Sequence, residues 1–133
     1  MATGLENLWI YTLAEDLEIK VHEKTKSFPK DEIYRSVDQL RRSSSSASDN
    51  IAEGYHKSTV KEKERYLTIA KGEAEETKRG MIKSTRKKFL SFESANKIAK
   101  EYTTLIKGIN GYIKFLKLSD IANSAVKPKK LKN

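Results

Sequence analysis

The chain has 133 residues, with 27 Lys and Arg against 18 Asp and Glu, two His and no Cys, for a net charge of +9. That length fits one domain that can cover about two thirds of its unfolded surface without staples. The absence of cysteine excludes a disulfide framework, a zinc knuckle and a thiol nucleophile, and no apolar run approaches the roughly 20 residues that span a bilayer.

The first helix is predicted over Leu8 to Lys26, where Ile10, Leu13, Ala14, Leu17 and Val21 recur at three- and four-residue steps on one face. Phe28-Pro29 interrupts that pattern. Proline suits the first turn of a helix, and Asp31 and Glu32 favour the positive end of the helix dipole, so a second helix is predicted from about Asp31 to Glu53. Its seam is Ile33, Val37, Leu40, Ser44, Ala47 and Ile51. The run Ser43-Ser44-Ser45-Ser46 costs roughly 0.5 kcal/mol per position relative to alanine. The seam nevertheless stays in register across it, so the run reads as helical. Gly54 is expected to end the helix as a left-handed cap.

Thr59 and Glu62 match a capping box for a third helix, predicted to continue to about Lys87. Its core stripe is Val60, Leu67, Ala70, Ala74, Thr77 and Met81. Phe89-Leu90 would turn the chain and Ser91 would cap a fourth helix. There Ala95, Ile98, Ala99, Tyr102, Leu105, Ile106, Ile109, Ile113 and Leu116 form the strongest amphipathic stripe, despite Gly108 and Gly111. After Lys117 the pattern decays, and residues 118–133 read as a basic, flexible tail. The architecture expected is an antiparallel, up-down-up-down four-helix bundle over residues 1–117.

Three short stretches carry a resemblance. They are Phe28-Pro29-Lys30 with Glu32-Ile33-Tyr34, then Gln39-Leu40-Arg41-Arg42, then Asn50-Ile51-Ala52-Glu53-Gly54. With the weaker Arg65-Tyr66-Leu67, Ile69-Ala70 and Gly72 with Glu76, they resemble a family of four-helix bundles encoded within intervening sequences of bacterial large-subunit ribosomal RNA. The same superfamily includes the accessory variability proteins of diversity-generating retroelements. The resemblance spans about Leu8 to Leu116. It implies a homopentameric barrel with basic surfaces and, for retroelement members, a reverse transcriptase and nucleic acid as partners. The third helix is more basic here than the family pattern requires.

The charge is unevenly placed. Residues 1–34 carry seven acids and four bases, a net of −3, while the remainder carries 23 bases and 11 acids, a net of +12. A polyanion partner would exploit that bias; a lysine-rich solvated surface accounts for it equally well. From Lys78 to Lys88 there are six bases and no acids. Lys61, Arg65, Arg79, Lys83 and Arg86 can share one broad flank of the third helix, Lys87 and Lys88 extend it round the end, and Lys78 opens the same basic run. Such a stripe suffices to neutralise phosphates of RNA or DNA. The bland alternative is a solvated face balanced by Glu62, Glu64, Glu73, Glu75 and Glu76, which cluster in the first half.

Arg41 and Arg42 suit either phosphate contacts or pairing with Asp38 or an interface carboxylate. Asn50 and Glu53 read as structural groups near a helix end. Among the aromatics Trp9, Tyr11, Tyr34, Tyr55, Tyr66, Tyr102 and Tyr112, most fall beside apolar stripes; Tyr55 is the expected exposed candidate for base stacking. His22 and His56 lack metal-ligand spacing, and neither a phosphate loop nor a nucleophile elbow occurs. No catalysis, cofactor or metal is expected. Met1-Ala2-Thr3-Gly4 lacks a basic stretch followed by an apolar one, so no signal peptide is expected and the location expected is cytoplasmic. The expected function is an accessory nucleic-acid-binding protein that self-associates. The competing reading is an oligomeric protein-interaction scaffold. Membrane binding is disfavoured because the core consumes the amphipathic stripes.

Overall fold

The computed structural model describes residues 4–131, with side chains described through residue 124. Met1 to Thr3, on which the signal-peptide reading rests, and Lys132 and Asn133 of the expected tail lie outside the described residues. Four α-helices follow one another: α1 (Trp9–Thr25), α2 (Ser36–Tyr55), α3 (Val60–Arg86) and α4 (Phe92–Leu131), with 3-10 turns at Leu5–Asn7 and Lys30–Glu32. There is no strand among the described residues, and no described helix is long and apolar enough to cross a membrane.

Cross-helix contacts give the direction of each helix. Ser48 Oγ donates to Glu18 Oε1 at 2.6 Å and Arg41 Nε to Thr25 Oγ1 at 2.9 Å, so α2 runs back along α1. Ser43 and Thr77 hydroxyls meet at 2.6 Å while Gly54 lies against Tyr66, which makes α3 antiparallel to α2. Lys117 pairs with Glu64 at 3.0 Å, and Thr103, Ile106 and Lys107 face Glu75, Lys78 and Arg79 across a groove, so α4 runs back along α3. Lys20–Glu101 at 2.9 Å and Trp9 against Gly108 close the ring. The result is the expected up-down-up-down arrangement of four antiparallel helices.

The predicted stripes point inward. Ile10, Ala14, Leu17 and Val21 of α1 pack with Leu40, Ala47 and Ile51 of α2, Leu67, Ala70, Ala74 and Met81 of α3, and Ile98, Tyr102, Leu105 and Ile109 of α4. Leu13, Val60, Ile106, Ile113 and Leu116 of the predicted stripes are only half-buried. The serine run is helical throughout, with Ser43, Ser44 and Ser48 buried. Their hydroxyls donate to carbonyls three residues back or cross to Thr77 and Glu18, which removes most of the desolvation cost of burying them. The Tyr102 hydroxyl is buried near Thr77 and Glu18 without a hydrogen bond of ordinary geometry.

Both predicted N-caps form: Glu62 N–H donates to Thr59 Oγ1 at 3.2 Å and Ser94 N–H to Ser91 Oγ at 3.2 Å. At the end of α3, Lys88 adopts φ 65°. Lys88 N–H reaches Thr85 O and Phe89 N–H reaches Ser84 O, each at 3.0 Å. That is the paired bonding of a Schellman stop, with lysine where glycine is usual.

Three expectations are corrected. The chain after Pro29 forms a single 3-10 turn, and α2 starts only at Ser36. Glu32 accepts from the Ser36 hydroxyl and backbone N–H, taking the place of an N-cap side chain; Ile33 therefore leaves the seam and is exposed. Gly54 lies inside α2, which ends at Tyr55, and its φ is not positive. A Cβ there would meet the Lys63 carbonyl oxygen and Tyr66 Cβ at 3.2 Å, so this glycine permits the close approach of α3 instead of stopping α2. Finally, α4 continues past Lys117 to Leu131, because extending a formed helix needs no new nucleus. Leu118 and Ile121 on that extension are exposed.

Candidate nucleic-acid interface

At 27 residues α3 is about 40 Å long. Its buried side chains, Leu67, Ala70, Ala74, Thr77, Met81 and Ser84, occupy one face. Helical periodicity then carries Lys61, Arg65, Arg79, Lys83 and Arg86 to the opposite face, and all five are exposed, as are Lys87 and Lys88. Lys78 is half-buried and points toward α4, where it lines a groove with Arg79, Thr103 and Lys107. The eight predicted cations thus divide between the outer ridge of α3 and the grooves on either side. Among the described residues none of the eight lies within salt-bridge distance of a carboxylate. Arg65 lies 5.1 Å from the Tyr66 ring centroid and Lys87 5.9 Å from that of Phe89, contacts that orient a cation without neutralising it.

The groove between α2 and α3 changes sign along its length. Its middle stretch holds Asp38, Glu73 and Glu76 with Arg42. Burial, and then the neighbouring Glu76, push the Glu73 carboxyl above its ordinary value. Toward the C-terminal end of α3, the groove becomes a depression of about 340 Å³ lined by Ser36, Gln39, Ser43, Arg79, Lys83 and Lys87, among others. Gly80 allows this approach: a Cβ there would lie 2.6 Å from Leu40 Cδ2. At the same end, the Ser36 hydrogen bonds hold the Glu32 carboxyl below its usual range, with Lys87 and Arg35 adding a smaller pull.

The two arginines of α2 have separate tasks. Arg41 donates to Thr25 Oγ1 and, at 3.3 Å, to the His22 carbonyl, so its charge sits at the C-terminal end of α1, where a cation is favourable. Arg42 pairs with Asp38 one turn away at 3.5 Å and remains exposed. Asn50 Nδ2 donates to the Ser46 carbonyl and hydroxyl at 2.8 and 3.0 Å, and Glu53 pairs with Lys57 at 3.6 Å. Both are occupied within their own helix or at its end. Among the described residues no group of three or more His, Asp or Glu is gathered as metal ligands.

The aromatics correct one expectation. Tyr55 is half-buried, with Lys63 Nζ donating to its carbonyl at 2.7 Å and its ring edge-on to His56 at 5.1 Å. The most exposed aromatic among the described residues is Tyr34, at 89%, ahead of Phe92, Phe115 and Trp9. It escaped the sequence reading because a helix beginning at Asp31 would have carried it beside the seam.

A family model described as 23S rRNA-intervening sequence protein matches residues 6–111, spanning all of α1 to α3 and the first half of α4. No curated protein matches the chain.

Proposed function

Because the chain belongs to the 23S rRNA-intervening sequence protein family, we propose that it is a non-catalytic accessory protein that binds RNA or DNA through phosphates. The observation that carries this reading is the exposed ridge of α3, whose cations have no carboxylate within salt-bridge distance among the described residues. Counterion release from a nucleic-acid backbone rewards such a ridge without any reading of bases. Self-association, as a pentameric ring by the resemblance, would repeat the ridge around one particle and raise avidity. Exposed Phe115, Leu118 and Ile121 on α4 offer apolar surface for it. A reverse transcriptase is the protein partner in this reading where the gene lies in a retroelement.

Salt titration of binding to a duplex and to a single strand tests the proposal. Affinity should fall linearly in log-log form, with a slope of about −0.9 per phosphate contacted on duplex DNA. Reversing Lys83, Arg86 and Lys87 to Glu together should abolish binding while helicity is retained. Unchanged affinity in that variant would remove the ridge from the proposal and leave the scaffold reading.

A further inference from the structure

The α1–α2 and α3–α4 connections meet at one end of the bundle, where the Phe28 and Phe89 ring centroids lie 5.4 Å apart. The α2–α3 depression opens at this end, and three features coincide there. First, Arg79, Lys83 and Lys87 of α3 line the depression together with Gln39 of α2, whose amide is free to donate, while the Ser36 and Ser43 hydroxyls in the same lining are engaged with Glu32, the Leu40 carbonyl and Thr77. Second, the lining carries three cations against one carboxylate, Glu76, a net of +2. Glu32, just outside, is committed to capping Ser36, and Lys87 and then Arg35 are the cations that act on it. Third, Tyr34 precedes Ser36 by two residues, placing its Cα within about 7 Å of the depression's edge. It is the most exposed of the large hydrophobic and aromatic side chains.

A phosphodiester carries one negative charge, and a duplex is too broad to enter a cleft between helices packed about 8–10 Å apart. A terminal phosphomonoester carries about −1.5 to −2 and offers three acceptor oxygens, which matches the net charge of the lining and its Arg79, Lys83, Lys87 and Gln39 donors. An unpaired base joined to it has a face to stack, and tyrosine supplies one. We propose that this end of the bundle is a site for the phosphorylated terminus of a single-stranded nucleic acid, with Arg79, Lys83, Lys87 and Gln39 holding the terminal phosphate and Tyr34 stacking on the end base. The inference rests on the nucleic-acid reading above and adds a substrate class to it. The ridge contacts backbone phosphates anywhere along a strand; the depression selects ends.

The test uses the full chain and single-stranded oligonucleotides of about ten nucleotides, carrying a 5′-phosphate, a 3′-phosphate or no terminal phosphate, beside a blunt duplex. One of the two phosphorylated strands should bind about tenfold more tightly than the unphosphorylated strand, which identifies the end that is read. Tyr34→Ala should lose about five- to tenfold on that strand and nothing on the duplex, while Tyr34→Phe retains affinity. Gln39→Ala should reduce the preference for the phosphorylated end, with no net charge changed. Tyr34 and Gln39 are exposed, so neither replacement touches the core, and circular dichroism verifies that. Equal affinity for all three single strands, with Tyr34→Ala unchanged, overturns the end site while leaving the ridge intact. Failure to bind any of the four ligands overturns both readings.

Discussion

At Gly111 an added methyl group would meet nothing within 4 Å, whereas at Gly54 it would press on the Lys63 carbonyl oxygen and Tyr66 Cβ at 3.2 Å. Both glycines lie in helices with ordinary backbone, so the helix-propensity gain of alanine, about 1 kcal/mol, is available at each. Only at Gly111 is it free of opposing contacts. Gly111→Ala should therefore raise stability by about 0.5–1 kcal/mol in denaturant titration. Gly54→Ala should lower it by about 1–2 kcal/mol, since one of the contacts is backbone that cannot turn aside. Equal shifts in the two variants would show that α2 and α3 do not approach as closely at Gly54 as described. The sequence marks both residues as glycine and cannot tell them apart; only the neighbouring helix does.

The start of α2 depends on a carboxylate lying outside the helix. Arg35 at the N-cap position provides no side-chain cap, and Glu32 takes over by accepting from Ser36. Because the Glu32 carboxyl is held below its ordinary value of 4.5, its contribution is present above the unfolded carboxylate pKa. It is lost as pH falls through the lower folded value. Glu32→Gln should accordingly be less stable than the parent near neutral pH, with the difference shrinking toward zero under acidic conditions. Thermal unfolding of both proteins across that range measures it, and a constant gap would mean that the carboxylate charge does no capping. This element also shows where local pattern was misleading. Phe28-Pro29 with two acids after it has the composition of a helix start, yet the chain makes one 3-10 turn and begins α2 at Ser36. The result removes Ile33 from the core and leaves Tyr34 in solvent.

Taken as a particle, the molecule has two surfaces that its core does not use: the cationic ridge of α3, and the part of α4 beyond the bundle. With 40 residues α4 extends about 60 Å, roughly 20 Å farther than α3. Phe115, Leu118 and Ile121 are exposed on its second half. If copies associate through that surface, Phe115→Asp with Leu118→Asp should shift the protein to monomer in sedimentation velocity. Single-site affinity for short oligonucleotides should stay within about twofold, because the ridge residues are untouched, and only the avidity for long strands should fall. An unaltered oligomer in that double variant would move the interface elsewhere.

Helix number, the inward stripes, the helical serine run and the Thr59 and Ser91 caps were all legible in the chain, because each follows from a spacing of three or four residues or from a hydroxyl at a helix start. The concentration of cations on α3 was equally plain, since helical period alone puts Lys61, Arg65, Arg79, Lys83 and Arg86 on one side. What folding in three dimensions had to decide was the use of these groups: Arg41 turned toward α1, Lys78 in the groove with α4, and Arg79, Lys83 and Lys87 lining one depression with Ser36 and Gln39. Those juxtapositions join residues from 16 to 51 positions apart, and no local period encodes them. They depend on how closely two backbones approach, and between α2 and α3 that distance is set by Gly54, Gly80 and the small side chains there.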